Sequence, residues 1–155
     1  MEWQGGFIIN MNVETRNFGL IEIKKEQIIH FPEGLPGFNS EKRYVLLPLR
    51  DSEFLVMQSI DKKELAFMIV PSPVVTNNYE FEIDNNIEKT LGVKSRKELA
   101  IFNIVNTSEM TVNLKAPVII NNSLNTGIQV ILEEEEYPLK HKIAVKDSEN
   151  EKVMG

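Results

Sequence analysis

The 155-residue chain contains no cysteine. That absence removes a disulfide framework, a thiolate metal site and a cysteine nucleophile together, and it fits a reducing cytoplasm. Positive charge is scarce as well: 17 Lys and Arg stand against 23 Asp and Glu, for a net charge of −6. Nucleic-acid binders hold phosphate with clustered bases, so direct RNA or DNA binding is not expected. An acidic chain suits a basic protein partner, or repels a polyanion from one. No apolar run approaches the roughly 20 residues a membrane span needs; the longest candidates, 66–70 and 117–120, are strand-sized. The opening MEWQGGFII has neither the basic start nor the long apolar stretch of a signal peptide. The expectation is a soluble, cytoplasmic chain with no membrane association.

Catalytic signatures are missing too. There is no G-x-S-x-G elbow, no P-loop and no Rossmann glycine fingerprint. The two histidines, His30 and His141, have no second ligand at helical or hairpin spacing, so no metal or cofactor is expected. Asp51 with Glu53 and Glu80 with Glu82 are acids two apart, the pattern of a wet sheet face. No enzyme is expected.

What is present is core material, 42% hydrophobic with 26% charged, enough for one ordinary domain. Short β-branched runs bounded by Gly, Pro, Asn, Asp or Ser dominate. They predict strands over 12–14, 19–23, 27–31, 43–48, 54–60, 66–70, 80–83, 99–105, 111–114, 118–121, 127–132 and 139–145. The turn signals Pro32-Glu33-Gly34, Leu35-Pro36-Gly37, Pro71-Ser72-Pro73 and Asn125-Thr126-Gly127 separate several of them. The fold class is mainly β, a single-domain antiparallel β-barrel-like fold with one or two short helices inserted around 84–98. Asp84 caps a helix over 85–91 that Gly92 ends, and Ser95 with Glu98 has the spacing of a capping box. Two such helices would plug an open end of a barrel. Residues 1–10, ahead of a second methionine at Met11, are taken as an alternative start or a remnant. The domain is placed at 11–145, and 146–155 as a flexible tail.

Two surface features and one strand end invite a binding role. Glu133, Glu134, Glu135 and Glu136 follow an apolar run. They serve either as a solvated, aggregation-blocking strand end or as a landing strip for a basic partner, with Tyr137 and Leu139 as apolar anchors. Leu35, Pro36 and Phe38 form an apolar loop, in which Phe38 either folds back over the core or points out as a contact. The Gly34-to-Gly37 spacing matches an RNA-clamping G-x-x-G loop, but its flanks Glu33 and Phe38 hold no phosphate, and a tight turn is the reading. Asn121 and Asn122 end a β run, where they either add to a partner strand or make a turn.

Several strings carry a resemblance. IIHFPEGLPGF at 28–38, NLKAPVIIN at 113–121 with GIQV at 127–130, MNVETRNFG at 11–19, and YVLLP at 44–48 leading to Gln58-Ser59 occur in the order found in the flagellar assembly factor FliW family. The chain resembles that family from Met11 to about Val145. The resemblance implies a small β-barrel-like protein, a monomer when free, that binds flagellin and, alternatively, the RNA-binding translational regulator CsrA. It implies non-competitive, allosteric antagonism of CsrA, relieving its repression of flagellin translation, while free flagellin sequesters the factor. The alternative is a dedicated chaperone that only shields flagellin from premature polymerisation.

Overall fold

The computed structural model describes residues 10–143; the expected tail at 146–155 and most of the 1–10 extension lie outside them. Asn10 is already structured. It opens β1 (Asn10–Thr15), which pairs antiparallel with β2 (Gly19–Lys24) across a tight turn. The Thr15 hydroxyl accepts from Phe18 N at 2.8 Å and donates to Gly19 O at 2.7 Å, closing that turn.

The remaining strands are β3 (Ile29–His30), β4 (Arg43–Pro48), β5 (Leu55–Ser59), β6 (Ala66–Pro71), β7 (Leu99–Asn106), β8 (Thr111–Val112), β9 (Val118–Asn121), β10 (Thr126–Gln129) and β11 (His141–Lys142). Seven of them close on themselves in the order β7-β6-β5-β4-β3-β10-β9, with β9 returning to β7 through Leu99↔Asn121 to Phe102↔Val118. The barrel is antiparallel at every junction but one. β3 and β10 run parallel, joined at His30↔Thr126 and by His30 N donating to Asn125 O at 2.9 Å. β8 pairs with β7 beyond the end of β9, and β11 adds outside β8.

Strand alternation sorts the side chains. Tyr44, Leu46, Met57, Phe67, Ile69, Phe102, Val118 and Ile120 point into the barrel, joined by Phe31 and Leu35 from the loop after β3. Packing is tight: a Cβ on Gly127 would lie 2.5 Å from Cζ of Phe31, so the glycine makes room for the ring. Gly34 is required twice over, by its φ of 66° and by the backbone of Asn39, 2.5 Å from where its Cβ would be.

The outward strand faces are also covered. The β1–β2 hairpin lays Val13 and Ile23 on Val45, with Ile28 alongside. Gln58, fully buried beneath it, receives Arg16 N at 3.0 Å and donates to Ser59 O at 3.1 Å and Lys63 O at 3.0 Å. The short helices α1 (Ser72–Val75) and α2 (Asn85–Leu91) complete the coat. Asp84 accepts from Ile87 N at 2.9 Å and Gly92 takes a φ of 69°, as the sequence predicts at both ends. The segment after Ser95 is a single 3-10 turn, Arg96–Glu98.

Three expectations need correction. α2 does not plug a barrel end: Leu91 packs on Ile119 and Ile128, which face outward between the inward Val118, Ile120 and Gly127, so the helix lies against the barrel wall. Residues 80–83 are extended but join no ladder, because the Tyr137 hydroxyl satisfies Glu80 N (2.9 Å) and Glu80 O (2.8 Å) in place of a neighbouring strand. The run 127–132 leaves the sheet after Gln129, although Val130 N still donates to Pro117 O and Leu132 N to Lys115 O.

Candidate functional site

The structure divides the residues singled out from the sequence into two groups. Leu35 is 1% exposed and belongs to the interior. Asn121 is fully buried: its amide donates to Leu91 O at 2.8 Å, and its carbonyl oxygen accepts from Ser123 N at 2.9 Å. It locks α2 to the β9–β10 turn and has no reach to a partner. Tyr137 is half-buried, edge-on to Tyr79 with ring centroids 4.8 Å apart, and its hydroxyl is fully used on Glu80. Leu35 fills the core, and Asn121 and Tyr137 spend their polar groups on the fold itself.

The others are accessible. Pro36 is exposed, and Phe38, 37% exposed, rests edge-on against Phe67 at 5.7 Å between centroids. Phe38 therefore does part of each job expected of it, covering the mouth of the barrel and presenting a face to solvent. Glu133, Glu134 and Glu136 are exposed and Glu135 is half-buried. Asn122 is exposed, with its backbone N donating to Glu98 O at 2.9 Å.

Pro36 and Phe38 lie at one end of the barrel, whereas Asn122 follows Asn121 at the opposite end, where β9 meets the start of β7. A groove of about 380 Å³ lies between Leu35, Pro36, Phe67, Ala116, Ile131 and Leu139, with Asn113, Lys115 and Gln129 at its polar edge. Those polar groups are already engaged. Asn113 Oδ1 accepts from Lys115 N and Ala116 N, Lys115 Nζ donates to Leu132 O at 3.2 Å, and Gln129 Nε2 donates to Ala116 O at 3.0 Å. The mouth thus offers mainly apolar surface, and Ile131 (51% exposed) and Leu139 (60% exposed) are large hydrophobic side chains facing water.

Ile131 also lines a second groove, of about 720 Å³, formed by Glu82, Ile83, Asp84 and Ile87 on one side and by 130–135 on the other. Sequence reasoning missed Ile131 because it counted 127–132 as one strand. The departure of the chain from β10 after Gln129 turns it outward. Glu82 was missed because nothing local places 80–84 beside 133–135. A third hollow, about 930 Å³ beside α1, carries no charged side chain.

Burial pushes the Tyr44 and Tyr79 hydroxyls up to about 12. The hydrogen bond from Arg43 holds Asp61 below the usual carboxylate range, at a surface pair. Among the described residues, no group of three or more His, Asp or Glu side chains is placed to hold a metal, and no helix is long and apolar enough to cross a membrane.

The fold has known relatives. The profile of the FliW protein family matches residues 12–143. The chain is 40% identical over 139 residues to the flagellar assembly factor FliW of Caldanaerobacter subterraneus subsp. tengcongensis, covering 86% of this chain and 93% of that one. With FliW of Clostridium novyi the identity is 35% over 138 residues, covering 86% and 96%. A crystal structure of the flagellar assembly factor FliW superposes with a TM-score of 0.80 at 34% identity, covering 85% of this chain and 96% of the other.

Proposed function

The chain belongs to the FliW family of flagellar assembly factors, and from that premise we propose that it is a non-enzymatic, cytoplasmic binding protein with two alternative protein clients, flagellin and CsrA. Bound to CsrA, it relieves repression of flagellin translation without occupying the RNA site. Bound to flagellin, it is withdrawn from CsrA. When free it is a monomer.

The observation that carries the reading is the apolar mouth set beside a run of mostly exposed acids. Pro36, Phe38, Ile131 and Leu139 offer desolvatable surface, the kind that anchors a protein interface, and Glu133 to Glu136 begin two residues beyond Ile131. CsrA holds RNA with basic surface. Carboxylates docked next to that surface weaken phosphate attraction, and the loss of a few phosphate contacts lowers affinity by orders of magnitude at moderate salt.

The test replaces Glu133, Glu134 and Glu136 by Lys in one chain and follows CsrA binding and release of a labelled flagellin-leader RNA. The reading expects weaker CsrA binding, or a ternary complex in which RNA stays bound. Normal RNA release by the reversed variant would overturn the electrostatic part of the proposal. Binding of flagellin with no binding of CsrA by the unaltered protein would leave a dedicated flagellin chaperone as the function.

A further inference from the structure

The groove below the mouth has a feature that the acidic run at 133–136 does not show by itself. It carries acids on both sides. Glu82 and Asp84 stand on one wall and Glu133, Glu134 and Glu135 on the other, while Ile83, Ile87, Val130 and Ile131 lie between them. No Lys or Arg lines it. Among the described residues, the ion pairs are Arg43–Asp61, Arg96–Glu88 and Lys140–Glu109, and none uses a carboxylate of this groove. Asp84 accepts one bond from Ile87 N and also lines the groove. Acids on both sides of an apolar floor, unpaired among the described residues, are complemented by an apolar stripe with cations on both flanks. An amphipathic helix supplies that arrangement, because residues three and four apart share a face and the neighbouring positions border it.

We propose that this groove is a docking site for a basic amphipathic helix, with apolar side chains on Ile83, Ile87 and Ile131 and lysines or arginines against Glu82 and Glu133 to Glu135. The inference deepens the partner-binding reading by naming the class of segment that enters, and its test uses neither flagellin nor CsrA, so the two fail separately. Because Ile131 lines both grooves, a helix seated here also borders the apolar mouth.

The probe is a synthetic Leu/Lys helix with one apolar stripe, compared with a lysine homopolymer of equal charge, by fluorescence anisotropy on the full chain. Three variants separate site from bulk charge: Glu82→Lys with Glu134→Lys in the groove, Glu14→Lys with Glu22→Lys on the exposed face of the β1–β2 hairpin, and Ile131→Ser on the floor. All five positions are exposed, so the fold is preserved, and thermal melts check this. The groove pair is expected to weaken binding of the Leu/Lys helix by about tenfold or more, as close charge pairs at interfaces do. The hairpin pair, with the same change in net charge, stays within about threefold, as screened distant charges do. Ile131→Ser weakens the Leu/Lys helix and leaves the homopolymer unchanged. Equal losses in the two charge variants, or indifference of the Leu/Lys helix to Ile131→Ser, would overturn the proposal.

Discussion

Tyr44 lies inside the barrel, fully buried, with its ring edge-on to Phe31 at 5.2 Å between centroids, and its hydroxyl meets no hydrogen-bonding group among the described residues. A buried polar group without a partner costs about 1–3 kcal/mol. Tyr44→Phe keeps the ring and removes the liability, so it should stabilise the fold by roughly 1 kcal/mol, a rise in Tm of about 2–4 °C for a chain of this size. Tyr79 is the matched control. Its hydroxyl donates to Leu114 O and accepts from Asn103 Nδ2 at 3.2 Å, so Tyr79→Phe should cost about 1–3 kcal/mol. Urea melts at neutral pH compare the two, read at constant m-value. The pH dependence adds a second axis. Both hydroxyls are pushed up to about 12 by burial, whereas in the unfolded chain tyrosine ionises near 10. The native state's advantage is therefore complete below about pH 10 and is lost as pH climbs towards about 12; Tyr44→Phe should remove part of that alkaline loss. A clear destabilisation by Tyr44→Phe at neutral pH, comparable to that of Tyr79→Phe, would refute the reasoning, because it would mean that the hydroxyl is satisfied in solution.

Gly127→Ala should destabilise by about 1–3 kcal/mol through overpacking against Phe31, measured by the same melts. Asn121→Ala should cost roughly 2–3 kcal/mol, since it removes the bond to Leu91 O and leaves Ser123 N without its acceptor; amide exchange should then show α2 opening before the barrel. Arg43→Ala breaks a pair whose side chains are 39% and 46% exposed, and should cost less than about 1 kcal/mol. The lowered Asp61 contributes its small stabilisation above the unfolded carboxylate range and loses it as pH falls through its own lower value, so acid melts of Arg43→Ala and the parent should converge.

Local chemistry was legible wherever one residue determines the outcome. Asp84 and Gly92 mark the ends of α2 because a cap and a positive φ are properties of single positions. Unbroken apolar runs within 43–48, 66–70 and 118–121 mark strands because both faces of those strands meet apolar neighbours. What was not legible depends on who the neighbour is. Residues 80–83 alternate like a strand, yet their backbone partner is the hydroxyl of Tyr137, 57 residues away. Asn121 reads as a turn or an edge contact until Leu91, 30 residues earlier, is seen to need its amide. The same holds for the site. Pro36 and Phe38 were visible as an apolar loop, but Ile131 was hidden inside a predicted strand, and the second acidic wall at Glu82 was taken for a wet sheet face.

The central claim is two alternative protein clients, and the most direct measurement is size-exclusion chromatography of the purified chain with CsrA and with flagellin, separately and together. The account predicts a complex with each alone, and release of CsrA when flagellin is added. Failure to bind CsrA at all, or a stable assembly of all three proteins, would contradict it.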